Sequence, residues 1–166
     1  MPVTPSGPLS LPFALMREII AAAPTWQTIC DVDTAAEALT RVHEFGFEPA
    51  ADVLPCCIVG DEDGLEQILG WDSTQHGQVL VEFLLPLTDD DARELQYTFR
   101  NQVGAILKET LALRAHDNTR PGVASALAVH LNLLRWRKLV SVQEITDGPR
   151  YGIEKALWAA FIGEWN

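Results

Sequence analysis

Three cysteines, four histidines and two runs of carboxylates are the side chains here whose types could do chemistry, so their spacing is the first question. Cys56 and Cys57 are adjacent, and either thiol could act as a nucleophile if a histidine from elsewhere in the chain came within hydrogen-bond reach. Both lie inside an apolar stretch, however, where a thiol behaves as a small hydrophobe. Cys30, Cys56 and Cys57 are therefore expected to be reduced and buried, and an odd number with two neighbours is a poor basis for a disulfide framework. His43, His76, His116 and His130 form no i, i+4 pair, no His-x-Glu and no set with Cys-x-x-Cys, so zinc-ligand spacing is missing and no metal is expected. The runs Asp61-Glu62-Asp63-Gly64 and Asp89-Asp90-Asp91 lack the alternating ligands and closing Glu of an EF-hand loop, and they read as a solvated turn and a helix cap. Gly60, Gly64 and Gly70 make no phosphate-cradling turn, and Ser73, Ser125 and Ser141 lack the Gly-x-Ser-x-Gly elbow. No catalytic residue and no cofactor is expected.

One constellation has a different meaning. Arg135-Trp136-Arg137-Lys138 is the only basic cluster in a chain with 12 Lys and Arg against 23 Asp and Glu, a formal net charge of −11. An aromatic among cations could stack on bases, but the overall charge lacks the phosphate-neutralising surface of a nucleic-acid binder. The cluster reads instead as a subunit-interface edge that meets an acidic neighbour. The 166 residues, 48% hydrophobic and 21% charged, suit one globular domain. The longest apolar run, Ala156 to Ile162, is far short of the ~20 residues of a membrane span, and the first residues lack the pattern of a secretion signal. A cytoplasmic origin is expected.

These residues must be positioned by a small number of elements. Pro2, Pro5, Pro8 and Pro12 make residues 1–12 an extended arm. The spacing of Leu15, Ile19, Ala22 and Ala23 predicts a helix over Phe13 to Ala23 that stops at Pro24. A second helix is expected from Thr34 to Phe45, with Thr34 and Glu37 as a capping box and Gly46 closing it. Val53 to Val59 reads as a buried strand, and Leu65 to Leu69 as a short partner. Gln78 to Leu85 is a stronger strand, with Val79, Val81, Phe83 and Leu85 on one face and Leu80, Glu82 and Leu84 on the other. Both faces are largely apolar, which predicts a central strand covered on both sides.

After Thr88 a long helix is expected, with Leu95, Phe99, Val103, Ile106, Leu107, Thr110 and Leu111 inward and an end by His116. Val123 to Trp136 satisfies both helical and strand periods, so its type stays open. Leu139 to Ile145 alternates as a strand before a turn at Thr146 to Pro149. Ala156 to Trp165 makes the last strand, with Leu157, Ala159 and Phe161 opposite Trp158, Ala160 and Ile162. The expected fold is a single α+β domain over residues 13–166, a mainly antiparallel sheet flanked by helices, with the N-terminal arm outside it.

This order of elements resembles the tail terminator proteins of long-tailed bacteriophages. The pieces that carry the resemblance are Leu54-Pro-Cys-Cys-Ile-Val59, Gln78-Val-Leu-Val-Glu-Phe-Leu-Leu85, the helix after Thr88, and Leu139 to Asp147 leading into Leu157-Trp-Ala-Ala-Phe-Ile-Gly-Glu-Trp165. The resemblance implies a virion protein without enzymatic activity: a homo-oligomer, a hexameric ring that caps the tail tube and joins it to the neck. Its partners would be the tail tube protein and a neck or connector protein, with DNA passing through the ring without sequence-specific binding. Closing a ring needs two different complementary patches on each subunit. Arg135, Arg137 and Lys138 facing Asp61, Glu62 and Asp63 of the next subunit would be one such pairing. Two other readings remain beside this one, another head-tail connector or neck protein and a small cytosolic enzyme using Cys57 or a histidine.

Overall fold

A computed structural model describes residues 11–44, 50–60, 75–87, 92–115, 129–144 and 150–162. The elements run α1 (Leu11–Ala22), α2 (Pro24–Cys30), α3 (Ala35–Leu39), β1 (Val42–Glu44), a 3-10 turn (Ala51–Val53), β2 (Cys56–Gly60), β3 (Gln75–Leu87), α4 (Ala92–Ala115), β4 (Val129–Glu144) and β5 (Arg150–Ile162). The strands form one sheet in the order β1, β2, β3, β5, β4, antiparallel throughout except for the parallel pair β1 and β2. This is the expected α+β class, with β3 as the middle strand.

The alternation read along β3 decides how the layers stack. Val79, Val81 and Phe83 are fully buried on one face, in register with Trp158, Ala156 and Glu154 of β5, and Val81 and Phe83 with Val59 and Cys57 of β2. Against this face pack Leu15, Met16, Ile19 and Ile20 of α1, Trp26 of α2, and Phe99, Val103, Ile106 and Leu107 of α4. Trp26 meets Phe83 edge to face, ring centroids 5.9 Å apart, a geometry that adds to the area it buries. On the opposite face Leu54, Cys56, Ile58, Leu84, Tyr151 and Ile153 form a second cluster to which none of the four helices contributes.

Several boundaries differ from the sequence reading. The first helix begins at Leu11, so Pro12 belongs to its first turn and not to the arm; a proline there gives up an amide that has no helical partner anyway. Pro24 opens α2 instead of only ending α1, by the same rule. Asp31 then ends α2 at φ 55°, a left-handed conformation that Asp tolerates. The capping box at Thr34 and Glu37 is present, but the helix it starts stops at Leu39. Val42 and His43, read as part of that helix, lie in β1 because Val42 pairs with Cys57 and is buried in the main core. Tertiary pairing there outweighs the helical spacing of Ala38 and Val42.

Residues Val53 to Val59 divide into the end of the 3-10 turn and β2, and the Leu54–Pro55 peptide between them is cis. The open segment Val123 to Trp136 is strand from Val129 onward, continuous with Leu139 to Glu144 in a single β4. The last strand starts at Arg150, six residues before the expected Ala156, and is described to Ile162. Leu65 to Leu69, the arm to residue 10, Gly46, the cap at Thr88 to Asp91, the turn at Thr146 to Pro149 and Trp165 lie outside the described residues.

Candidate functional site

The basic cluster lies on the last strand of the sheet. β4 pairs on one side with β5 and, among the described residues, with nothing on the other. Its register with β5 slips twice, and both slips touch the cluster. Leu133 stands opposite Trp158 and Arg135 opposite Leu157, so β4 takes two steps where β5 takes one. An odd slip exchanges the faces of everything that follows. Without it Arg135 and Arg137 would fall opposite Ala156 and Glu154 on the helix-covered face. With it, Trp136 takes the position opposite Ala156, and the two arginines belong to the other face. A second irregularity between Arg137 and Ser141 advances β4 by four residues against two on β5, leaves the faces unchanged and takes up Lys138.

Register then adds a residue that no linear reading groups with the cluster. Arg137 is directly opposite Lys155 on β5, Lys155 is opposite Glu82 on β3, and Glu82 is opposite Ile58 on β2. This row runs across four strands on the face away from the helices. Glu82 and Lys155 are joined by an ion pair and are both partly exposed. Arg137 thus stands in register with Lys155, and Arg135 with the neighbouring Leu157. The acidic half of the expected pairing, Asp61, Glu62 and Asp63, lies outside the described residues.

The other end of the sheet is finished differently. β1 is three residues long, and the carbonyl of Val42, which faces away from β2, accepts a hydrogen bond from Arg17 Nε at 3.1 Å. The same guanidinium pairs with Glu44 at 2.8 Å. A side chain from α1 thus occupies the outer edge of β1. His43, in the middle of this strand, has its pKa held below the usual 6.5 by burial first and then by the guanidiniums of Arg17 and Arg41.

The three cysteines support packing. Cys30, Cys56 and Cys57 are free and buried. Burial pushes the thiols of Cys30 to about 12 and of Cys56 to about 11, and that of the fully buried Cys57 well above its ordinary value. A thiolate nucleophile needs the opposite environment. His76 and His130 both stand in register with Phe161, one on β3 and one on β4, on either side of β5. No group of three or more His, Cys, Asp or Glu that could hold a metal occurs among the described residues, and no helix there is long and apolar enough to cross a membrane.

Two carboxylates on the helix side hold elements together. Glu109 of α4 accepts from the backbone N–H of Thr25 at 3.0 Å and from its hydroxyl at 2.6 Å, capping the first turn of α2 from another helix. Glu154, buried among apolar side chains, pairs with Arg100 of α4 at 3.4 Å. Sequence spacing gave neither role, because each partner is more than fifty residues away. In comparison with known proteins, the chain matches no protein-family model and no curated protein sequence.

Proposed function

We propose that this chain is a structural protein of a long-tailed bacteriophage, assembling as a hexameric ring that caps the tail tube and joins it to the neck. The observation that supports this most is the inequality of the two sheet edges. One is three residues long and occupied by Arg17; the other is sixteen residues long and cationic. A ring closes through heterologous contacts, in which each subunit offers two unlike patches, and a subunit with unlike ends meets that requirement. The element order in the sequence, the α+β sheet with helices on one face, and thiols held in the core instead of activated are all in keeping with assembly. A net charge of −11 suits a passage through which DNA moves without being gripped.

The tube protein and the neck protein are the partners this reading requires, and the virion is the location. The test is genetic. Particles made without this protein should carry tubes of irregular length, or tubes detached from heads. Tubes of normal length firmly joined to heads would refute the terminator role, and absence of the protein from purified particles would refute the structural class.

A further inference from the structure

The long helix α4 turns Phe99, Val103, Ile106 and Leu107 into the core. On its opposite side Glu94, Tyr97, Asn101 and Lys108 are exposed, with Gly104 and Ala105 half-buried between them. These positions recur every three or four residues and so form one stripe along the helix. Tyr97, 53% exposed, is the one large apolar side chain left in the open among the described residues. Arg100, itself paired with Glu154, lies over its ring with the guanidinium carbon 5.9 Å from the centroid, which holds the ring in place before any partner arrives. Glu94 and Lys108 make no ion pair among the described residues. Their neighbours one turn away, at 97 and 98 for the first and at 104, 105, 111 and 112 for the second, carry no opposite charge.

Charge and size select the occupant, because the stripe complements itself. In an antiparallel pair centred on Asn101, each residue meets the one equally far along the partner on the other side of the centre. Glu94, seven residues before Asn101, then meets Lys108, seven residues after it, and the reverse pair forms as well. Tyr97, four residues before, meets Ala105, four residues after, beside Gly104, so the largest side chain of the stripe falls on its two smallest. Asn101 meets its own copy, and an amide can both donate and accept. We infer that the outer face of α4 docks antiparallel on the same face of a second copy of this chain, about a two-fold axis through Asn101, with Glu94 and Lys108 paired across it. Such a contact is isologous, the same patch serving both subunits. One helix face is small beside the roughly 800 Å² per partner of a standard complex, so the pair should form only at high protein concentration. It uses neither edge of the sheet, and it stands apart from the ring reading, since it joins two free subunits or one ring to another.

The experiment follows self-association of the full chain by sedimentation over a concentration range from about 5 to about 500 µM, the regime of a weak contact. The variants are Lys108→Glu, Glu94→Lys and the double exchange Glu94→Lys/Lys108→Glu, each checked for a native circular dichroism spectrum. Each single reversal turns two attractive pairs into two repulsive ones and should weaken pairing about tenfold, while the double exchange restores opposite charges across the axis and should recover it. Tyr97→Ala should weaken pairing by a similar factor, about tenfold. If a single reversal fails to fold, Asn101→Cys carries the result. It places two thiols on the axis, within disulfide reach, and should give a cross-linked dimer under mild oxidation where Lys108→Cys does not; the native cysteines are buried. A wild type that is monomeric at the highest concentration overturns the inference, as does association that both single reversals leave unchanged or a double exchange as weak as either single one. Loss of six-membered rings in Lys108→Glu would overturn it too, by making the face a ring contact. Rings that persist while their pairing is lost support it, and defective tails remain the separate criterion for the ring reading. A dimer that Lys108→Glu dissolves, with no ring at any concentration, supports this contact and counts against the ring.

Discussion

The two ends of this sheet both carry arginine, and they are finished differently. At β1, Arg17 from α1 donates to the Val42 carbonyl and pairs with Glu44, so the guanidinium is committed within the subunit and covers the edge. At β4, Arg137 stands in register with Lys155, which pairs with Glu82, and Arg135 with Leu157. The difference teaches that a cation on a sheet edge is read by what lies in its register, not by its presence. One end is closed within the subunit, and the other, among the described residues, pairs with no further strand.

The largest effect tests the core that the helices share with the middle of the sheet. Phe83 and Phe99 lie in one core, the first on β3 next to β2 and the second on α4. Phe83→Ala and Phe99→Ala should each cost about 3–5 kcal/mol in chemical denaturation. Losses below about 1 kcal/mol at both would place the core elsewhere. A smaller effect, about 1 kcal/mol, is expected from Glu109→Ala, which removes the acceptor at the start of α2; Glu109→Gln should recover part of it.

Acid should separate the ends further. The folded pKa of His43 lies below 6.5, so below that pH the unfolded chain takes up a proton that the folded chain resists. The associated stability is fully present above about pH 6.5 and declines as the pH falls through that value. His43→Gln should flatten the dependence of the denaturation midpoint between about pH 7 and pH 5. An unchanged slope would mean that His43 is not hindered from protonating. The smallest effect belongs to the open end: Arg135→Gln/Arg137→Gln should alter subunit stability by less than about 0.5 kcal/mol while altering association. A larger loss of stability would show that these arginines, like Arg17, serve the fold.

Local chemistry was the legible part of this fold. The capping box at Thr34 and Glu37, the two-faced alternation of β3, and the Phe99, Val103, Ile106 and Thr110 stripe of α4 depend on neighbours within a turn or on a strand's own period. β1 was hidden because Val42 also fits a helical spacing from Ala38, and only Cys57, fifteen residues later, decides between the two. β4 resisted because the extra residue at Leu134 breaks the period of two where a strand would otherwise declare itself. The basic cluster was visible as composition. Its face, its neighbour Lys155 and its distance from Glu154 depend on pairing register, which is set by long-range packing and leaves no trace in adjacent residues.

The most direct test of the account is the native mass of the purified wild-type chain, read together with negative-stain images of the same sample. The account expects a closed annular particle at six times the 18.3 kDa subunit mass. A chain that remains monomeric at every concentration, or that stops at a two-fold dimer, would contradict it.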